Sequence, residues 1–237
     1  MVDKWHQHAG QIVKDVLSHK RVKQEDFAKY LQAVVGGKEG TDGKDSFRNL
    51  LRRGTVTLTM FLHALKYTGA KMPPGWERAG KYAVDRMSSV IAFASVPATL
   101  DSLDDSLLSD PTALHLLKQI QDLPPSDRLE GGLKLAYASE FFYRVSAADI
   151  ALREMSRVND DFVQLARKLR QSSGRRITAR TLRRVFESGD LQLALLLECL
   201  CAVRSPSLER YIDMEELDAA ARESLAQRSQ SPKTSDQ

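Results

Sequence analysis

Cysteine is scarce. Cys199 and Cys201 are the only two in 237 residues, which leaves no disulfide framework and no multi-thiolate metal centre. They stand two apart in Leu195-Leu196-Leu197-Glu198-Cys199-Leu200-Cys201, so one helix points them in different directions and both are expected as reduced core or semi-core thiols. Long hydrophobic runs are missing too, and Met1-Val2-Asp3-Lys4-Trp5-His6 has no apolar stretch behind a basic start. The expectation is a cytoplasmic chain with no membrane partner. With 13 Gly and 8 Pro, the sequence is too poor in both for a collagen-like or disordered chain. An ordinary globular composition remains, 42% hydrophobic and 28% charged, long enough to bury a core without staples.

Catalytic patterns are also lacking. His6, His8, His19, His63 and His115 are scattered without a paired nucleophile or metal spacing. The glycines between Gly36 and Gly43 lack the strand and lysine pattern of a phosphate-cradling loop. Asp101, Asp104 and Asp105 have neither the spacing nor the glycine of a calcium loop. No enzyme, metal or cofactor is expected.

Helical periodicity is abundant. Trp5, Ala9, Ile12, Val13, Val16 and Leu17 mark a helix over 3–19. Acidic residues open a second at Gln24-Glu25-Asp26, which buries Phe27, Ala28 and Leu31. After a glycine-rich turn expected to be mobile, a third helix over 44–53 turns Phe47, Leu50 and Leu51 inward and Asp45, Arg48, Asn49 and Arg52 outward. Gly54 stops it, and a fourth helix carries the stripe Leu58, Phe61, Leu62, Leu65 up to Gly69. Further helices are expected over 76–93, over 112–123 and from about 126 to 155, with a linker over 95–111 and a disordered polar tail after Ala226. The chain reads as all-α: two helix-turn-helix-containing bundles, 1–72 and 140–213, joined by a helical linker or oligomerisation segment, 73–139, with 214–237 as a helix end and tail.

The net charge of +4 is unevenly placed: +6 over 1–72, −3 over 73–139, +3 over 140–213 and −2 over 214–237. From Phe162 to Phe186 there are seven arginines and a lysine without one acidic residue, a run that attracts phosphate and releases its counterions. A shift of 135 overlays the two basic regions without a gap. Asp26-Phe27 then falls on Asp161-Phe162, Arg48 on Arg183, Gly54 on Gly189, and the leucine stripe on Leu193, Leu196, Leu197, Leu200.

Lys23-Gln24-Glu25-Asp26-Phe27-Ala28, Ser46-Phe47-Arg48-Asn49-Leu50-Leu51-Arg52-Arg53-Gly54 and the stripe ending at Gly69 resemble the lambda-repressor/Cro-like helix-turn-helix. They are closer still to an uncharacterised bacterial domain family sharing the Arg-Asn…Arg-Gly segment. The match spans about 3–70 and, more weakly, 140–203. The resemblance implies that the small Ala28 lets two helices approach, that Gln24 contacts a phosphate, and that the third helix enters the major groove. Two features depart from the family: Lys23 replaces the usual capping Ser or Thr, and the turn over 35–43 is longer.

The implied function is sequence-specific binding of double-stranded DNA by a nucleoid-associated, repressor-like transcriptional regulator. Arg48 and Arg52 suit guanine, Asn49 suits adenine, and Ser46 suits a base or a phosphate, while Lys20, Arg21, Lys23, Lys44 and Arg53 suit the backbone. In the second unit Arg180, Arg183 and Arg184 would read, beside Thr181, while Arg175, Arg176 and Thr178 clamp phosphates. Two units can imitate a two-fold dimer within one chain, or each protomer of a homodimer can present both. The competing reading is a helical protein-binding adaptor or antitoxin-like regulator whose middle segment grips a protein partner.

Overall fold

The computed structural model describes residues 3–35, 43–78, 83–84, 87–88, 90–92 and 110–230, with the backbone alone at 35, 43–46, 78 and 230. Every regular element among them is helical. The N-terminal elements are α1 (Lys4–His19), α2 (Gln24–Val35), α3 (Gly43–Arg53) and α4 (Leu58–Thr68). Two helices follow, α5 (Pro111–Gln121) and α6 (Arg128–Ala138). The chain continues through α7 (Glu140–Arg157), α8 (Phe162–Ser173), α9 (Ala179–Ser188), α10 (Leu193–Ala202) and α11 (Met214–Gln230). No helix among the described residues is long and apolar enough to cross a membrane.

Local chemistry sets the boundaries. Asp3, Thr57, Ser139, Asp161 and Thr178 each accept a backbone N–H three residues on, satisfying a donor that the helix itself leaves open. Ser139 ends α6 and caps α7, so the helix expected from about 126 to 155 is broken there. Only Trp76–Arg78, as a 3-10 turn, and short helical pieces over 83–92 are described from the helix expected over 76–93. The tail expected to be disordered from 227 continues α11 to Gln230; residues 231–237, the loop over 36–42 and Asp101, Asp104 and Asp105 lie outside the described residues.

The repeat is present but not in the gap-free register. α1 and α2 match α7 and α8 at a shift of 138, while α3 and α4 match α9 and α10 at 135. Asp26-Phe27 therefore does not fall on Asp161-Phe162; the 12 residues of α2 fall on the 12 of α8. The difference is taken up where the connection over 174–178 is shorter than that over 36–42, and α9 starts one residue late. In this register buried residues coincide: Trp5 with Tyr143, Ala9 with Ala147, Ile12 with Ile150, Leu17 with Met155, Phe27 with Leu165 and Leu62 with Leu197. Backbone conformation coincides as well. Positive φ recurs at Arg21 and Asn159, at Gly54 and Gly189, and at Gly69 and Arg204.

Glycine is required at one of these pairs. A Cβ on Gly54 would lie 1.7 Å from the His6 carbonyl oxygen, and one on Gly189 would lie 2.2 Å from that of Arg144, the equivalent of His6. The turn after each outer helix is thus pressed onto the first helix of its own unit, at positive φ where L side chains are strained.

The sequence pattern suggests two bundles, yet the buried side chains of both units form one continuous cluster, from Trp5 through Phe61 and Leu182 to Ala221. The link is direct. Leu58 N donates to Leu191 O at 2.8 Å and Leu193 N to Val56 O at 2.9 Å, on either side of an antiparallel bridge between Thr57 and Gln192. The chain leaving α4 is held to the second unit by Trp76 Nε1, which donates to buried Glu154 at 2.9 Å; Ser205 and Ser207 donate to the same carboxylate. Residues of the middle segment, including Met87, Ile91, Leu116 and Ile120, make a smaller cluster that reaches Phe141.

Candidate nucleic-acid interface

α3 is amphipathic in the simplest way. Phe47 and Leu51 are buried against α1 and α2, and Arg48, Asn49, Arg52 and Arg53 are exposed on the opposite side. Gly10 in α1 allows the close approach, since a Cβ there would lie 2.2 Å from the Leu51 carbonyl oxygen. Arg52 donates to the Asn49 side-chain oxygen at 3.1 Å. Arg48 makes a loose pair with Glu25 at 3.8 Å, and both side chains remain largely exposed, so the attachment is weak. Lys20, Arg21 and Lys23 are exposed around the turn into α2, and Gln24 is half-buried at its start. For Lys44 and Ser46 only the helical backbone is described.

α9 repeats the arrangement with different chemistry. Leu182 and Phe186 are buried, and Arg180, Arg183, Arg184 and Glu187 are exposed. The Arg183 guanidinium lies 5.6 Å from the ring centre of Phe162, which occupies the position of Gln24. Val163 stands where α2 has Glu25, so no carboxylate faces Arg183 as Glu25 faces Arg48. Arg167, Arg170, Arg176, Arg180 and Arg184 are exposed and form no ion pair among the described residues. A cleft of about 510 Å³ lies between the end of α8 and the start of α9, lined by Ala166, Arg170, Arg175, Arg176, Ile177 and Thr178.

Two of the sequence-selected residues there already have partners. Thr178 caps α9 by accepting from Thr181 N at 3.1 Å, and the two hydroxyls share a hydrogen bond of 2.9 Å. Arg175 is tied to Glu198, which is 1% exposed and also accepts from Ser173 and, at 2.6 Å, from Arg228. A buried carboxylate is tolerable only with such partners. Glu198 thus fixes the turn between α8 and α9 and docks α11 on it. Nothing in pairwise spacing reveals this, although a lone carboxylate within Leu193–Ala202 already marks a buried, partnered charge.

Glu198 occupies the position of His63 in the first unit. His63 is equally buried, with Nε2 3.0 Å from Glu140 and Nδ1 3.1 Å from the Tyr30 hydroxyl. His6, at the start of α1, bonds Asp3, and that bond is the main reason its pKa is raised. Burial tends to raise the Asp3 carboxyl, but the His6 bonds outweigh it and hold it at about 2. Burial pushes the Cys199 thiol up, and pushes Cys201 up to about 11 with help from Asp218, so neither is a ready thiolate. The described residues contain no group of three His, Cys, Asp or Glu able to hold a metal.

A comparison of the chain with protein-family models, with curated proteins and with solved structures finds no match.

Proposed function

We propose that the chain binds duplex DNA as a repressor-like transcriptional regulator, with α2–α3 and α8–α9 acting as helix-turn-helix units. The observation that carries this reading is the exposed row Arg48, Asn49, Arg52 and Arg53 on a helix whose other face is anchored by Phe47 and Leu51. Such a helix can enter a major groove without unfolding anything, and its side chains are those that pair with guanine and adenine edges. The five unpaired arginines of the second unit add the phosphate attraction that specific binding needs. A mobility-shift assay on random-sequence and upstream duplexes at two salt concentrations tests the reading. The expected result is a specific complex that R48A/N49A loses while salt-sensitive binding persists; no complex even at low salt refutes it.

A second reading has its own observation. Leu129, Leu133 and Tyr137 recur every four residues along α6 and are all exposed, Leu129 at 64%. Apolar exposure at that spacing suits a docking stripe for a partner protein. It becomes the better account if the shift assay is negative.

A further inference from the structure

The contact joining the two halves of the chain is exchanged with itself by the repeat. Adding 135 to Leu58 and subtracting it from Leu191 turns the bond from Leu58 N to Leu191 O into the bond from Leu193 N to Val56 O, and Thr57 and Gln192 are equivalents facing each other. α1 packs on α10 just as α7 packs on α4. A contact of this kind is isologous, the form that a two-fold axis creates between identical subunits. The paired bonds and the matching α1–α10 and α7–α4 contacts are those of an approximate two-fold axis inside one chain, between Thr57 and Gln192.

The axis also limits where the outer helices lie. α3 ends at Arg53 and α9 at Ser188, each four residues before its bridge residue. Four residues reach at most about 14 Å, and the centre of an 11-residue helix is roughly 8 Å from its end. The two helix centres are therefore at most roughly 50 Å apart, a range that includes the ~34 Å between half-sites one turn apart. A two-fold rotation preserves height along its axis, so a duplex lying across the axis at the level of one helix meets the other as well.

We propose that a single chain takes the place of a symmetric dimer, occupying both half-sites of one operator, and that the half-sites are unequal. This rests on the DNA-binding reading above. One half-site is read by Arg48, Asn49 and Arg52. The other is held mainly through its phosphates by Arg176, Arg180 and Arg184, on a face where Arg184 stands at the position of Asn49, Val163 at that of Glu25 and Glu187 at that of Arg52.

The test uses the full chain and a duplex of about 30 base pairs, roughly three helical turns, enriched by that chain from a random-sequence pool. Native mass spectrometry reads stoichiometry, and hydroxyl-radical footprinting reads backbone protection. One chain per duplex is expected, with two protected patches about one turn apart and base preference confined to one of them. R48A/N49A is expected to reduce affinity for the enriched duplex to that for random DNA while both patches persist. R176A/R180A/R184A is expected to keep the preference, erase the second patch and lower the salt slope by up to about 3. All five side chains are exposed, so the variants should fold, and circular dichroism verifies it. Two chains per duplex, a single patch, or reversed variant effects overturn the proposal and leave DNA binding intact. Failure to enrich any duplex, with no complex at low salt, overturns both.

Discussion

The two units share a scaffold and differ at its surface. Trp5 and Tyr143, Phe27 and Leu165, and Phe61 and Leu196 fill equivalent buried places with different side chains, because a core needs volume and apolarity more than identity. Outside, Arg48 and Arg183 coincide, but the first is faced by Glu25 and the second by the Phe162 ring. The first unit carries chemical variety and partial neutralisation, and the second carries more arginine, with Glu187 as the exposed carboxylate on α9.

Breaking the framework gives the largest effects. Gly54→Ala and Gly189→Ala each force a Cβ into a carbonyl oxygen at positive φ, and each should cost about 3 kcal/mol or more. Because the units share one core, thermal unfolding of either variant should remain a single transition. Two separate transitions would show that the units are stabilised independently.

Next come the equivalent buried polar residues. Glu198→Ala leaves Arg175 and Arg228 without their carboxylate and should cost about 3 kcal/mol. His63→Ala loses bonds to Tyr30 and Glu140 and should cost about 2 kcal/mol. Urea denaturation ranks the two, and the opposite order would mean that the second unit is the less tightly held.

A smaller effect distinguishes the units by pH. His6 has a raised pKa, so its contribution to stability is complete below its unfolded value near 6.5 and is lost as pH rises through the raised value. Asp3, held at about 2, contributes fully above 3.8 and loses its contribution as pH falls through about 2. The second unit has Arg144 at the position of His6, paired with Asp110 and Asp190. Between mildly acidic and alkaline pH the unfolding free energy should fall by about 1 kcal/mol more in the wild-type chain than in His6→Asn, whose remaining pH dependence includes the opposite trend of His8 with its lowered pKa.

The finest test exchanges the neighbours of the paired arginines. Glu25→Val should raise affinity for random DNA roughly threefold at low salt, and Val163→Glu should lower it by a similar factor. Equal insensitivity in both units would mean that these helices do not face DNA.

The sequence alone determined the helices of the two units apart from the break at Ser139, because spacing at three and four residues dictates which face of a helix is apolar, and Gly54, Gly69 and Gly189 mark where the chain must turn. It also determined the exposed row on α3, since at helical spacing Arg48, Asn49 and Arg52 fall away from the stripe of Phe47 and Leu51. Only the tertiary structure decided the register of the repeat, because a shorter connection shifts pairing without altering helical periodicity. It alone joined Arg175 to Glu198 and Leu58 to Leu191. Those contacts join residues distant along the chain, and their geometry depends on how whole helices pack rather than on any local pattern.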